Sequence, residues 1–191
     1  MRKLVFGVLT LLGFALAQDV GELGLKIQSA KFQDVSDRKA YASLFAYVRT
    51  SPVSKVGLEI GNANMESEIF VCGFSFCNLD IDYTPIEINF KLDARGRGYE
   101  NFAVGLGAGV SFNILQYEVY RNGVRVAEKN KNLIGWQIFG NGRYFFTPAR
   151  SNFNAFMGVE LKYQWVDSFT ESSGKVELSN TRIGLELGVL F

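Results

Sequence analysis

Residues 101–117 read NFAVGLGAGVSFNILQY, and this stretch decides the fold. Phe102, Val104, Leu106, Ala108, Val110, Phe112 and Ile114 recur at every second position, while Ala103, Gly105, Gly107, Gly109, Ser111 and Asn113 fill the places between. Side chains alternate between the two faces of a strand, whereas a helix needs an apolar repeat near 3.6. The segment therefore predicts a β-strand with one fully apolar face and one small, polar face. It is far longer than the roughly 5–6 residues usual in soluble proteins.

Seven more segments carry the same alternation. They run from Val20 to Phe32, Ala40 to Thr50, Lys55 to Asn64, Tyr83 to Leu92, Leu133 to Phe146, Phe153 to Trp165, and Arg182 to Phe191. The breaks between segments alternate in kind. Ser51–Ser54, Arg95–Gly98 and Pro148–Ser151 read as short turns, and longer polar connections lie near residues 31–39, 65–82, 118–132 and 166–180. Alternation alone also fits a soluble sandwich or a lipocalin-like barrel. Several segments match or exceed the roughly 9–11 residues of a membrane-spanning strand, and short turns alternate with long loops as in a spanning barrel. The fold class expected is all-β: an eight-stranded antiparallel up-and-down transmembrane β-barrel.

Aromatic residues sort by height on that thread. Phe90, Phe102, Tyr144, Phe146, Phe153 and Phe191 fall near the short-turn rim on the apolar face, and Trp136 and Trp165 near the opposite rim. Aromatic side chains favour the headgroup zone, so two belts are expected of a spanning barrel.

The first residues carry an address. Arg2 and Lys3 precede an apolar run from Leu4 to Ala15, and Ala15-Leu16-Ala17 supplies a small-x-small cleavage pattern. Residues 1–17 are expected to be a signal peptide and 18–191 the barrel. Removing the signal takes out two of twenty basic residues and none of nineteen acidic ones, so the net charge moves from +1 to −1. No basic excess points to nucleic acid.

An export signal, eight alternating strands and a last strand ending Ile183-x-Leu185-x-Leu187-x-Val189-x-Phe191 resemble the small bacterial outer-membrane barrels of the OmpA membrane domain, OmpX and OmpW type. The resemblance covers essentially the whole mature chain and is architectural. It implies an integral outer-membrane location, membrane lipid around the barrel, and recognition of the terminal strand ending Phe191 by the barrel-assembly machinery.

The face opposite the apolar one is rich in charge: Glu22, Lys26, Arg49, Glu59, Glu87, Lys91, Arg143, Glu160, Lys162, Arg182 and Glu186. An eight-stranded barrel has just enough interior for its own side chains, and buried charges must pair. These residues are expected to form a lumen network, with Arg182 and Glu186 facing Glu22 and Lys26 where the barrel closes. Gly105, Gly107 and Gly109 are expected to make room for long side chains from across it. The bland outcome is a plug; the sharper one is a narrow, porin-like channel for ions or small solutes.

Cys72 and Cys77, the two cysteines, are expected to form a disulfide in an oxidising compartment. Tyr120–Val126 centres on Asn122-Gly123, a strong hairpin signal, and Phe169–Val176 repeats it around Ser172-Ser173-Gly174. Strands extended in this way could offer an exposed edge to a surface partner. Glu66, Glu68, Asp80 and Asp82 are oxygen donors for calcium, but without the spacing of a calcium loop.

Gly105-Leu-Gly-Ala-Gly109 lacks the third glycine of a dinucleotide fingerprint at the right offset and sits mid-strand. The chain has no histidine, which removes the usual general base and the commonest metal ligand. No cofactor and no catalysis are expected. The functional expectation is a structural or surface-interacting outer-membrane barrel, with a narrow channel as the alternative.

Overall fold

A computed structural model describes residues 21–35, 37–67, 70–72, 75–96, 99–146, 154–171 and 174–191. Residues 1–17, Glu68, Phe153 and the turn at 148–151 lie outside the described residues. Among those described there are eleven strands and no helix. They are β1 (Gly21–Phe32), β2 (Lys39–Arg49), β3 (Ser54–Glu66), β4 (Phe70–Cys72), β5 (Ser75–Gly96), β6 (Tyr99–Arg121), β7 (Val124–Phe145), β8 (Asn154–Val166), β9 (Phe169–Glu171), β10 (Gly174–Val176) and β11 (Asn180–Leu190).

Eight of them close a barrel in the order β3-β2-β1-β11-β8-β7-β6-β5, with β5 returning to β3, every pair antiparallel. The seam between β1 and β11 is stitched by Gly21 N–H to the Phe191 carbonyl at 2.7 Å and Phe191 N–H to the Gly21 carbonyl at 2.9 Å.

The eight-strand count holds, but the strand ends differ. β5, β6 and β7 run 22, 23 and 22 residues, so most of the stretches read as loops at 65–82 and 118–132 are strand. At about 3.3 Å per residue, 22 residues reach roughly 70 Å, more than twice the hydrocarbon thickness. The excess projects at the long-hairpin end. Asn122 and Gly123 join β6 to β7 with φ of 48° and 79°, the left-handed pair a two-residue hairpin turn needs. β9 and β10 form the second expected hairpin.

The hairpin signal at Asn122-Gly123 points to such an extension, but the apolar alternation stops short of it because polarity changes sides partway along each strand. On the outer face, Ile60, Ile86, Phe112 and Ile134 form one cross-strand row. Two rows higher, Asn64, Asp82, Gln116 and Asn130 replace them, and one row further Glu66, Asp80, Glu118 and Glu128. Inside, the order is reversed: Glu59 and Glu87 lie below, while Ala63, Met65, Tyr83, Ile81, Leu115 and Tyr117 lie above in an apolar cluster. From Glu59 and Glu87 up to Met65 and Ile81 the inward parity holds and only its chemistry inverts; the register shifts lie at the strand ends, at Arg95/Gly96 and Val119/Tyr120. That inversion marks the height at which the outside medium changes from hydrocarbon to water.

Below that height large apolar side chains point outward, with Leu106 72%, Ile134 65% and Ile27 63% exposed. A soluble protein does not present an apolar band of this extent to water. Trp136 and Trp165 stack at 3.7 Å near its upper edge, with Tyr163 edge-on to Trp165. Phe90, Phe102, Tyr144 and Phe146 are exposed toward the short-turn rim, and half-buried Phe191 packs against Ala46 on the outer face.

Candidate functional site in the barrel lumen

The inward charges assemble into two stacked groups. In the lower one, ion pairs run Lys91–Asp93–Lys55–Glu22–Arg143–Glu186 in alternating sign. Lys91 Nζ lies 3.1 Å from Asp93, and Lys55 bridges Asp93 and Glu22. Arg143 lies 2.7 Å from Glu22 and grips Glu186 with Nε and Nη2 at 2.5 and 2.9 Å. Planar guanidinium suits that two-point hold on a carboxylate.

The upper group runs Arg182–Glu87–Lys162–Glu59–Lys26–Glu160, at 2.6, 2.7, 2.8, 2.7 and 2.7 Å. Lys162 also approaches Glu160 at 3.6 Å, and the Ser43 hydroxyl donates to Glu59 at 2.8 Å. Each group therefore holds three cations and three anions, so neither leaves a net buried charge.

Aromatic rings line the space between and around them. Arg143 sits 4.4 Å from the Phe156 centroid and 5.7 Å from Phe45, while Lys26 lies 5.2 Å from Phe45 and Lys162 5.2 Å from Phe139. Cation–π attraction adds to the ion pairs where water is excluded. Toward the short-turn end, Phe145, Phe156, Phe45 and Tyr47 cluster as an apolar floor.

Above the upper group lies a belt of neutral polar groups. The Tyr83 hydroxyl is 2.6 Å from Asn113 Oδ1 and 2.9 Å from Gln164 Oε1. Gln164 Nε2 donates to Ser111 at 2.8 Å, and Arg182 Nη2 donates to Gln164 at 3.0 Å. Higher still, the apolar cluster occupies the upper interior. Phe169, Val176 and Leu178 of the β8–β11 connection and Val35 of the β1–β2 connection join it.

Ten of the eleven charged residues expected in the lumen lie in this network. Arg49 does not: it is exposed at the end of β2, beyond the closed interior. Lys55 and Asp93 take part instead. Both have inward parity, but as strand-end residues they look like turn charges in the sequence. The expected partners at the seam also change. Lys26 lies opposite Glu186 in the β1–β11 register, yet Glu186 binds Arg143 and Lys26 reaches Glu59 and Glu160. Long side chains pointing into a narrow lumen meet across it more readily than along its wall.

The inward glycines make room for adjacent strands and not for the far wall. A Cβ on Gly107 would lie 2.2 Å from the Phe139 ring of β7, and one on Gly24 2.4 Å from the Phe45 ring of β2. Replacing Gly107 with alanine must displace that ring. The expected cost is about 1–3 kcal/mol, read as a lower urea midpoint for unfolding in detergent.

Outside, Glu66, Asp80, Glu118 and Glu128 face one another across four strands, with Arg125 bonded to Glu118 at 2.9 Å and Glu128 at 2.5 Å. Burial pushes the Asp80 carboxyl up, and Glu66, Glu118 and Asp82 around it push the same way. Among the described residues no group of three or more acidic, cysteine or histidine side chains is arranged to hold a metal ion.

No protein-family model matches the chain, and no curated protein matches it. Solved structures do. It is similar to Neisserial surface protein A (NspA) at 13% identity and a TM-score of 0.61, over 90% of this chain and 96% of that one. It is similar to the N-terminal β-barrel domain of Pseudomonas aeruginosa OprF at 12% identity and a TM-score of 0.51, over 91% of this chain and 98% of that one. At such identities the likeness is one of fold. The chain is an eight-stranded transmembrane β-barrel with the fold of the small bacterial outer-membrane proteins.

Proposed function

We propose that this protein is a non-conducting, non-enzymatic barrel of the bacterial outer membrane, which stabilises the envelope and meets surface partners through its projecting hairpins. The observation that carries this reading is the lumen. Two neutral charge groups, an amide belt and an apolar cluster succeed one another along it. An eight-stranded wall encloses little more than its own side chains. A chain without histidine also has few means of acid–base chemistry near neutral pH.

On this reading the short turns face the periplasm and the β6–β7 hairpin faces outward. Residues 1–17 direct export, and the strand ending Phe191 is the signal for barrel assembly. Cys72 and Cys77 are joined as a disulfide at the β4–β5 tip. The register supports this, because Cys72 pairs with Ser75 two residues from Cys77, which is buried.

In planar lipid bilayers the purified protein is expected to show no stable single-channel conductance. Reproducible conductance that Glu87→Gln or Arg143→Met abolishes would replace this reading with that of a narrow channel.

A further inference from the structure

The projecting sheet ends in an apex that the barrel does not need. Phe76 N–H donates to Asn122 Oδ1 at 3.2 Å and Asn122 N–H donates to the Phe76 carbonyl at 2.9 Å, which ties the start of β5 to the β6–β7 turn. On this joined apex Phe76 and Val124 are each 65% exposed and Val126 51%. These are large apolar side chains on the water side of the polarity boundary, left exposed among the described residues.

The charge at the apex is of one sign. Residues 70–78 and 119–127 contain Arg121 and Arg125 and no carboxylate, although carboxylates crowd the row directly beneath at Asp80, Glu118 and Glu128. Arg125 is turned down toward Glu118 and Glu128. Arg121 is exposed.

Exposed apolar side chains beside cations are the pattern of a segment that dips into an anionic membrane interface. The protein's own bilayer is out of reach. Arg121 stands seven residues above Ile114 on β6, roughly 20 Å along the strand, about twice the screening length at physiological salt.

We infer that the β6–β7 turn and the start of β5 beside it dock on an opposing anionic lipid bilayer, with Phe76, Val124 and Val126 entering the interface and Arg121 meeting headgroup phosphates. Two features favour lipid over other anionic partners. A sulfated glycan would use the arginine but leave the apolar side chains in water. The turn also leaves open space around the Cβ position of Gly123, and a deformable bilayer accepts an exposed turn without a matching socket.

This inference deepens the surface-contact reading above and rests on it. The test uses the full barrel in phosphatidylcholine nanodiscs, floated with vesicles of phosphatidylcholine alone or with phosphatidylglycerol added. Association with the phosphatidylglycerol vesicles is expected, weakening with salt. Arg121→Gln is expected to lower it about fivefold. Phe76→Ser with Val124→Ser is expected to abolish it, while the gel-mobility shift of the folded barrel persists. Absence of flotation, or flotation that both variants leave unchanged, overturns the inference. Binding to immobilised heparin without vesicle binding overturns it in favour of a glycan. Conductance of the same preparation separates the two proposals: a closed barrel that fails to float sinks only the tip inference, and a conducting one sinks only the plugged-barrel reading.

Discussion

Replacing Arg143 with methionine is expected to destabilise the barrel by about 3–5 kcal/mol, the usual cost of removing one partner from a buried ion pair. Arg143 is the only cation within ion-pair distance of Glu186 among the described residues, and it also holds Glu22 at 2.7 Å. Without it the lower group carries a net negative charge inside a wall that excludes water. Asn141 Nδ2, 2.9 Å from Glu186, is a dipole and does not replace the lost charge. The urea midpoint of the folded gel band should fall accordingly. Adding Glu186→Gln should recover much of the loss, because the double variant restores neutrality in that group. Equal destabilisation by both variants would show that the arginine matters through packing over Phe156 instead.

The second large effect concerns the outer face. Leu106→Arg is expected to cost about 2–4 kcal/mol, since it places a charge on the lipid side near mid-height of the apolar band. Gln116→Arg, ten residues further along the same face of β6, is expected to stay within about 0.5 kcal/mol. Both positions share strand, parity and exposure, so secondary-structure propensity predicts no such contrast. The difference isolates the medium each side chain meets. Unfolding of the two variants in lipid vesicles would measure it, and similar costs at both sites would place Leu106 in water.

Much of this was legible in the sequence because period-two alternation and turn spacing are local. Residues 101–117 alone specify a strand with an apolar face, and the eight segments close in the order their turns dictate. What local pattern hides is a change of surroundings along one strand. Leu79 and Ile81 keep the inward parity of Glu87 and Lys91, yet their chemistry is opposite, so β5 seemed to begin at Tyr83 and not at Ser75. The apolar cluster above the charges is not legible from alternation for that reason.

The candidate site was legible as a set of charges but not as a set of partners. Parity put ten of the residues on the inward face, where the ion pairs lie. It also admitted Arg49, because parity does not tell where the closed lumen ends. Partner choice depends on reach across the lumen and on the rings of Phe45, Phe139 and Phe156 between the charges. None of those distances is encoded by spacing within a strand. Phe156 and Phe139 point inward among outward-facing aromatics, and only the register with Gly188 and Gly107 explains why there is room for them.

The central claim is that the strands cross a bilayer and emerge from it between Ile114 and Gln116. A spin-label scan along the outer face of β6, from Val104 to Tyr120 in a background with Cys72 and Cys77 replaced by serine, tests this most directly. In lipid vesicles, labels at 104, 106, 108, 110 and 112 should be relaxed by dissolved oxygen and shielded from a water-soluble relaxant. Labels at 116, 118 and 120 should show the reverse, with the crossover at 114. A water-accessible label at 106 or 110, or a profile without a crossover, would contradict the account.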